Sequence, residues 1–271
     1  EPNRYHLYVS LACPWAHRAL IFRVLKGLED TISISVVNWL MAENGWTFMK
    51  GDDLVNDNIY GFKFLHQIYT RAKSNYSGRV TVPVLWDIKR KTIVSNESSE
   101  IIRMFNSAFN DCGANSYDYY PKRYRSEINE LNRRIYDTLN NGVYRCGFAT
   151  TQEAYEEALV PLFETLDWLE DRLKSKKYLI GDQITEADWR LFTTLVRFDA
   201  VYVGHFKCNI RRICDYKNIS AYLSRLYSIP GINRTVNIDH IKGHYYGSHR
   251  SINPSRVVPK GPNLDFLSDG Q

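Results

Sequence analysis

The residue with the clearest chemical potential is Cys13, which stands directly before Pro14. Proline suits the first position of a helix because its missing N–H costs nothing there, and apolar residues at helical spacing follow it. Cys13 is therefore predicted at the N-cap, where the helix dipole and the unpaired N–H groups favour the thiolate and lower its pKa. A cysteine taken at random is more often a buried structural residue, but this context predicts a nucleophile. Because Ala16 stands where a CxxC motif has its second cysteine, an external thiol must resolve any disulfide that Cys13 forms.

A second unusual position is Pro83, which interrupts the β-branched run at residues 80–86. Proline cannot donate to a sheet ladder, so it predicts either an edge position or a cis peptide at a ligand site. Farther along the chain, Asn96 is predicted to cap a helix that has Glu97 and Ser98 in its first turn.

Hydrophobic periodicity predicts the elements that must position these residues. In order they are a strand, a helix, a strand, a polar and aromatic insertion, a two-stranded hairpin and a helix. Apart from the insertion, the predicted segments are strand 5–10, the helix from 14 to about 27, strand 32–37, strands 80–86 and 91–94, and the helix after 96.

A turn-rich, aromatic stretch at residues 111–121 is the predicted boundary between two domains. Three segments beyond it have helical periodicity, at 122–140, 152–174 and 185–203. The last begins with the capping-box layout of Thr185 and Asp188. The sequence therefore predicts an α/β domain at 1–110 and an all-α domain at 111–271, which ends in an irregular tail.

Composition excludes several classes of protein. With 44% hydrophobic and 24% charged residues in 271 positions, the chain is an ordinary globular protein. No apolar stretch approaches the ~18–20 residues of a membrane span, and the first residues lack the pattern of a signal peptide. Five widely spaced cysteines indicate a reducing compartment, so a cytoplasmic location is expected. The net charge of +5 is spread along the chain, which gives nucleic-acid binding no support but is compatible with a small acidic ligand.

Short motifs spread over nearly the whole chain: Cys13-Pro14-Trp15-Ala16-His17-Arg18, Gly45-Trp46-x-Phe48, the run from Gly78 to Trp86, Asn96-Glu97-Ser98, Asn141-Gly142-Val143-Tyr144, the run from Leu195 to Asp199, His240-Ile241-x-x-His244-Tyr245 and Ile252-Asn253-Pro254. In these motifs the sequence resembles the Xi-class glutathione transferases, also called glutathionyl-hydroquinone reductases. The resemblance implies a thioredoxin-like domain that binds glutathione, an all-helical domain, and a quinol in the cleft between them.

The resemblance also implies a reaction. The Cys13 thiolate attacks the sulfur of a glutathionyl-hydroquinone, releases the hydroquinone and keeps glutathione as a mixed disulfide. A second glutathione resolves this intermediate, so that the products are hydroquinone and oxidised glutathione. Glutathione is thus a co-substrate, and no metal is expected.

Site residues are carried over position by position. The residues that the resemblance places around glutathione are Trp46, Arg79, Val82, Glu97 and Ser98. Val82 would pair its backbone with glutathione, and Glu97 with Ser98 would hold the γ-glutamyl end. Tyr144 and Tyr245 would hydrogen-bond the hydroquinone oxygens. Without the resemblance, an isolated arginine is more often a solvated charge and a tyrosine more often a packing residue.

Other interpretations stay open. An omega-like thiol transferase or dehydroascorbate reductase would use the same cysteine, and a non-enzymatic interaction domain would need no activated thiol. The histidines at 240, 244 and 249 could be written as a metal site, but no carboxylate or cysteine completes it at helical spacing. Cys208 and Cys214 are expected to lie in a buried loop with unreactive thiols. The expected assembly is a homodimer, with no membrane or nucleic-acid partner.

Overall fold

The structure of the protein, a computed structural model, describes residues 1–49 and 51–264. Contacts within the chain divide it into two units. The first unit contains residues 1–117 and the segment Arg234–Ser248. The second contains residues 118–233 and the chain from His249 onward.

The first unit is built on a four-stranded sheet. Its elements in chain order are β1 (Tyr5–Val9), α1 (Pro14–Leu25), β2 (Ile32–Val36), α2 (His66–Ala72), β3 (Val84–Asp87), β4 (Thr92–Ser95) and α3 (Ser98–Ser107). The strand order is β2-β1-β3-β4, with β1 parallel to β2 and antiparallel to β3, and β4 antiparallel to β3. Leu7 and Tyr8 of the central strand β1 are fully buried although they point to opposite faces, because the sheet is covered on both sides. The order agrees with the predicted one and adds α2 within the insertion.

Two local predictions in this unit are wrong. The strand predicted at 80–86 begins only at Val84, since Pro83 has no N–H for the ladder and the chain pairs after it. The N-cap of α3 is Glu97 and not Asn96. The Glu97 carboxylate accepts the backbone N–H of Ser99 at 3.1 Å, whereas the Asn96 amide donates to a tyrosine of α2.

The second unit is helical. Its helices are α4 (Arg125–Ile135), α5 (Gly142–Gly147), α6 (Gln152–Leu173), α7 (Glu186–Arg197) and α8 (Lys217–Tyr227). The predicted capping box at the start of α7 is present, and the buried carboxylate of Asp188 also accepts the Tyr222 hydroxyl at 2.9 Å. The two predicted segments 122–140 and 185–203 each end in a π-helical turn, at Tyr136–Asn140 and Phe198–Tyr202. Within the described residues, no helix is long and apolar enough to cross a membrane.

The last helix, α9 (Ile238–Ser248), packs with the first unit. The backbone at Gly243 approaches the Trp39 ring so closely that an added Cβ would lie 2.9 Å from it. His240 on the same helix bonds the carbonyl of Asp52 at 3.0 Å. The predicted division into a glutathione-binding domain, 1–110, and a substrate domain, 111–271, is a statement about function and stays a prediction. The predicted tail has no helix or strand up to Leu264, and its last residues lie outside the described part.

Candidate functional site

Cys13 lies at the turn between the central strand and the first helix. β1 ends at Val9 and α1 begins at Pro14, which puts Cys13 at the N-cap with extended backbone angles (φ −75°, ψ 123°), as predicted. Its carbonyl accepts the N–H of His17 at 3.0 Å. The thiol is partly exposed, and Sγ lies 3.7 Å from the carbonyl oxygen of Val82, to which it donates. An accessible sulfur therefore stands at the positive end of α1.

The segment leading to Val82 is held in place by a buried tyrosine. The bond from Val82 to Pro83 is cis, one of the two predicted alternatives. Tyr69 on α2 donates its hydroxyl to the carbonyl of Thr81 at 2.7 Å and accepts the Thr81 N–H at 3.2 Å. The same oxygen accepts the Asn96 side chain at 3.2 Å, so Tyr69 ties the segment beside Cys13 to the one that leads into α3. Tyr69 could not be predicted as a site residue, because no sequence signal distinguishes it from the other 18 of the 19 tyrosines.

Glu97 and Ser98 form the start of α3. The exposed Glu97 carboxylate accepts the Ser99 N–H and the Ser99 hydroxyl, each at 3.1 Å. The Ser98 side chain is buried, and its hydroxyl lies 3.4 Å from the same carboxylate oxygen. The carboxylate thus caps the helix and still faces solvent with its charge, which leaves it able to bind an ammonium group.

Arg18 connects the two helix N-termini. It lies on α1, five residues after Cys13, and is only 1% exposed. Its guanidinium donates to the Ser98 hydroxyl at 3.3 Å and stacks over the Trp15 ring at 4.6 Å from the ring centre. Arg18 is a further residue of the site for which the sequence predicted no separate role. Its position in the motif Cys13–Arg18 could have indicated a role. An arginine on the buried face of a helix needs hydrogen-bond acceptors for its guanidinium.

Trp46 is buried against α9. Its indole stacks on the His244 ring, with ring centres 4.9 Å apart and planes 25° apart. His244 in turn bonds the carbonyl of Trp39 at 2.8 Å. The neighbouring Tyr245 is 1% exposed and meets the His244 ring edge-on. Trp46 and Tyr245 therefore both contact one histidine of α9.

The histidines of α9 are engaged with backbone. His240 and His244 each bond a main-chain carbonyl of the segment that precedes α2. The described residues contain no group of three or more histidine, cysteine, aspartate or glutamate side chains placed to hold a metal ion. These two histidines fix α9 to the first unit.

Arg79 lies on the surface. Its side chain is exposed, and its carbonyl oxygen accepts the Tyr76 hydroxyl at 2.7 Å. This bond fixes the backbone of the loop before Pro83 while the guanidinium points to solvent. The proposed contact of Arg79 with a carboxylate of glutathione stays a prediction.

Tyr144 belongs to the second unit. It lies half-buried on α5, and its ring meets the Phe206 ring edge-on at 5.3 Å between centres. Tyr245 belongs to the first unit, so the two predicted quinol ligands lie on different units. The structure thus brings Cys13 to Val82 and places Trp46 and Tyr245 against one histidine, His244. The roles of Tyr144 and Tyr245 stay predictions.

Two family models match the chain. The model described as glutathione S-transferase, N-terminal domain, matches residues 12–108, and that described as glutathione S-transferase, C-terminal domain, matches residues 152–225. The first spans every predicted glutathione-binding residue and Cys13. Neither spans Tyr144 or Tyr245.

Similar proteins match over almost the whole chain. Glutathionyl-hydroquinone reductase PcpF of Sphingobium chlorophenolicum is 62% identical over 262 residues, 97% of this chain and 84% of that protein. The glutathione-bound structure of YqjG, a glutathione transferase homologue from Escherichia coli K-12, superposes with a TM-score of 0.97 at 60% identity and covers 98% of this chain and 87% of that one. The glutathione S-transferase Xi of Phanerochaete chrysosporium gives a TM-score of 0.94 at 53% identity, with 98% and 92% covered.

Proposed function

We propose that the protein, which belongs to the Xi class of the glutathione S-transferase family, reduces glutathionyl-hydroquinones to hydroquinones with glutathione as co-substrate. The predicted family and the predicted fold, a thioredoxin-like α/β domain with an all-α domain, are confirmed by these matches. The observation that carries the proposal is the position of Cys13, at the N-cap of α1 with its sulfur 3.7 Å from the Val82 carbonyl.

The first step breaks a carbon–sulfur bond. The Cys13 thiolate attacks the glutathionyl sulfur, and a sulfur–sulfur bond forms between the enzyme and glutathione. The electron pair of the broken bond stays with the aromatic carbon, which takes up a proton and leaves as hydroquinone. The positive end of α1 favours the thiolate form that this attack requires.

The second step restores the enzyme. A second glutathione thiolate attacks the glutathionyl sulfur of the mixed disulfide, which releases oxidised glutathione and the Cys13 thiolate. An external thiol is needed because Ala16, and not a second cysteine, stands one helical turn after Cys13. In sum, one glutathionyl-hydroquinone and one glutathione give one hydroquinone and one glutathione disulfide.

Glutathione is held by the first unit in this proposal. The main chain of Val82 lies beside Cys13, where it can pair with the cysteinyl backbone as an added strand would. Glu97 binds the α-ammonium of the γ-glutamyl end, and Ser98 with the N-terminus of α3 binds its carboxylate. The Trp46 indole forms one side of the glutathione site, and the exposed Arg79 binds a carboxylate of glutathione.

The quinol is held by two phenols in this proposal. Tyr144 and Tyr245 donate to the hydroquinone oxygens. Their hydrogen bonds stabilise the negative charge that develops on the ring as its carbon keeps the electron pair.

We further propose that the enzyme works as a cytoplasmic homodimer. Light scattering of the purified protein measures this assembly directly.

Product analysis tests the function. The protein is mixed with glutathionyl-hydroquinone and excess glutathione, and the products are separated by liquid chromatography with mass detection. Hydroquinone and oxidised glutathione should appear in equal amounts, and neither should appear with Cys13→Ser. Turnover of small mixed disulfides without any release of hydroquinone would replace the proposal with an omega-like thiol transferase.

A further inference from the structure

His17 is a buried residue of α1 that the proposed reaction does not use. It lies four residues after Cys13, and its backbone N–H donates to the Cys13 carbonyl at 3.0 Å. Its imidazole is fully buried, with Nε2 2.8 Å from the hydroxyl oxygen of Thr235. A buried imidazole nitrogen needs a hydrogen-bond partner, and this partner lies 218 positions farther along the chain. One residue thus contacts both the backbone of Cys13 and a distant segment.

Thr235 lies in the segment that leads into α9. It is the last residue of a short 3₁₀ turn, Asn233–Thr235, and α9 begins three residues later at Ile238. Thr235 is 6% exposed and belongs to the first unit, as α1 and α9 do. The His17–Thr235 hydrogen bond therefore links the helix that follows Cys13 to the start of α9 within a single unit.

Along its length, α9 is attached to a different part of the first unit. His240 and His244 bond main-chain carbonyls of the segment between β2 and α2, and the Ser248 hydroxyl accepts a backbone N–H of that segment at 3.0 Å. These bonds fix α9 relative to that segment, whereas the bond from His17 to Thr235 fixes its beginning relative to α1. A helix bonded to two elements cannot tilt against one of them without breaking a bond to the other.

We propose that His17 is a positioning residue, which acts through Thr235 to hold α9, and with it Tyr245, at a fixed place relative to Cys13. This inference rests on the proposed function, in which Tyr245 donates to the hydroquinone while Cys13 attacks the glutathionyl sulfur. A misplacement of about 1 Å at a reacting centre can cost about 10²-fold in rate. Without the His17–Thr235 bond, the reaction that needs both groups should slow, and a reaction that needs Cys13 alone should not.

Paired substitutions remove this bond from either side. His17→Leu and Thr235→Val take away the polar groups and keep apolar volume in a buried place. His17→Gln and Thr235→Ser keep a group that can form the bond, since glutamine has an amide and serine retains the hydroxyl. Cys214, expected in a buried loop, is instead exposed, so every protein, including the reference, also carries Cys214→Ser to prevent thiol exchange at that position.

Each protein is assayed with two substrates, glutathionyl-hydroquinone and the mixed disulfide of glutathione with 2-mercaptoethanol. In His17→Leu and Thr235→Val, kcat for glutathionyl-hydroquinone should fall roughly tenfold, whereas kcat for the mixed disulfide should stay within about twofold of the reference. The KM for glutathione should not change. His17→Gln and Thr235→Ser should recover most of the lost rate. The ratio of the two kcat values therefore reports the placement of α9.

His6→Leu is the matched control for the loss of a buried histidine. His6 on β1 is as fully buried as His17, and its two ring nitrogens are hydrogen-bonded to the hydroxyls of Ser33 and Ser35 at 2.7 and 2.9 Å. Both partners lie on β2, so this substitution weakens the sheet and does not act on α9 directly. The melting temperature should fall as in His17→Leu, but the ratio of the two kcat values should equal that of the reference.

Hydrogen exchange gives a readout that needs no turnover. Peptides covering α9, residues 238–248, should exchange faster in His17→Leu and Thr235→Val than in the reference, and at the reference rate in His17→Gln and His6→Leu. If the reference releases no hydroquinone, the proposed function fails, and the exchange of α9 still decides whether His17 holds this helix. If His17→Leu does not fold, Thr235→Val gives the same test.

Three results would overturn the proposal. One is a ratio of the two kcat values in His17→Leu and Thr235→Val that equals the reference ratio. The second is an unchanged exchange of α9 in both variants. The third is a selective loss in Thr235→Ser as large as in Thr235→Val, because serine keeps the hydroxyl. Each result would make His17 a core residue without influence on the position of Tyr245.

Discussion

The first unit contains two helix N-termini with opposite chemistry. α1 begins at Cys13 and α3 begins at Glu97, and both caps have extended backbone angles. The Glu97 carboxylate satisfies its own helix, since it accepts the Ser99 N–H at 3.1 Å. The Cys13 sulfur instead lies against the Val82 carbonyl, in another segment of the chain.

In the proposed function, this difference assigns the reaction to the N-terminus of α1 and the binding of glutathione to the N-terminus of α3. At α1 the partial positive charge of the helix favours the thiolate of Cys13, which forms only when the thiol loses its proton. The helix therefore activates this sulfur as a nucleophile. At α3 a permanent anion already occupies the same kind of position, and its remaining charge can hold a cation. Changes at α1 should therefore lower kcat, whereas changes at α3 should raise the KM for glutathione.

The largest effect is expected from Cys13→Ser. A hydroxyl is a far weaker nucleophile than a thiolate at neutral pH, so kcat should fall on the order of 10³-fold or more. The melting temperature and glutathione binding should change little. Intact mass after incubation with glutathionyl-hydroquinone, with glutathione omitted, should find one glutathionyl adduct on the wild type and none on the variant.

Cys112→Ser is the matched control for this change. Cys112 is a partly buried cysteine of the same unit that lies in a short 3₁₀ turn and not at the N-cap of α1. The Cys112→Ser variant should reduce glutathionyl-hydroquinone with the wild-type kcat. Wild-type kcat in Cys13→Ser would remove Cys13 from the reaction and would leave the two N-termini without functional contrast.

The next effect concerns the quinol, which neither N-terminus contacts in the proposal. Tyr144→Phe and Tyr245→Phe should each cost ~1–3 kcal/mol of transition-state stabilisation with glutathionyl-hydroquinone, because a hydroquinone oxygen loses its donor. Reduction of a small mixed disulfide by Cys13 should be nearly unchanged. The measurement is kcat/KM for both substrates in both variants. Equal losses on the two substrates would mean that the tyrosines support the fold.

Local sequence rules account for one N-terminus better than for the other. Cys13 before Pro14 predicts the cap of α1 because proline restricts the first helical position by itself. At α3 both Asn96 and Glu97 carry side-chain acceptors, and Glu97 is the cap. The Asn96 side chain is instead oriented by Tyr69 of a different helix, whose hydroxyl accepts its Nδ2–H. Tyr69 and Asn96 lie 27 positions apart, so no rule based on neighbouring residues predicts their contact.

The same limit applies to α9 and Arg18. Helical periodicity can indicate a helix such as α9, but its place in the first unit depends on Gly243 meeting Trp39, which is a matter of packing. Arg18 was visible as part of a motif, yet its contact with Ser98 required the relative placement of α1 and α3. The strands, α1 and α3 of the α/β domain and the segments that contain α4, α6 and α7 were therefore predictable, whereas α2, α5, α8, α9 and the side chains that link the elements were not.

A smaller effect is expected from Glu97→Gln at the second N-terminus. Glutamine keeps an acceptor for the helix but loses the charge that binds the ammonium, so the KM for glutathione should rise roughly tenfold while kcat changes little. Glu100→Gln is the matched control, since Glu100 lies in the first turn of the same helix and accepts the Ser95 hydroxyl at 2.7 Å. A fall in kcat without a change in KM would contradict the division between the two helix N-termini.

The smallest effect on catalysis is expected from the group that connects the two regions, Tyr69. Tyr69→Phe keeps the buried ring and removes a hydroxyl that bonds the Thr81 backbone twice and the Asn96 side chain once. Because these backbone and amide groups lose a partner, the free energy of unfolding should fall by ~1–3 kcal/mol. The KM for glutathione should rise only a few-fold, since the segment beside Cys13 becomes less well held while the nucleophile itself is unchanged.

Tyr76→Phe separates this linking role from the general loss of a hydroxyl. Tyr76 packs against Tyr69 with ring centres 5.0 Å apart, and its hydroxyl donates to the Arg79 carbonyl at an exposed site. Water can replace that bond, so the variant should lose no more than about 0.5 kcal/mol of stability and should keep the wild-type KM. Chemical denaturation and steady-state kinetics on both variants give the comparison. If Tyr69→Phe and Tyr76→Phe behaved alike in both measurements, Tyr69 would be a packing residue, and the two helix N-termini would be positioned independently of each other.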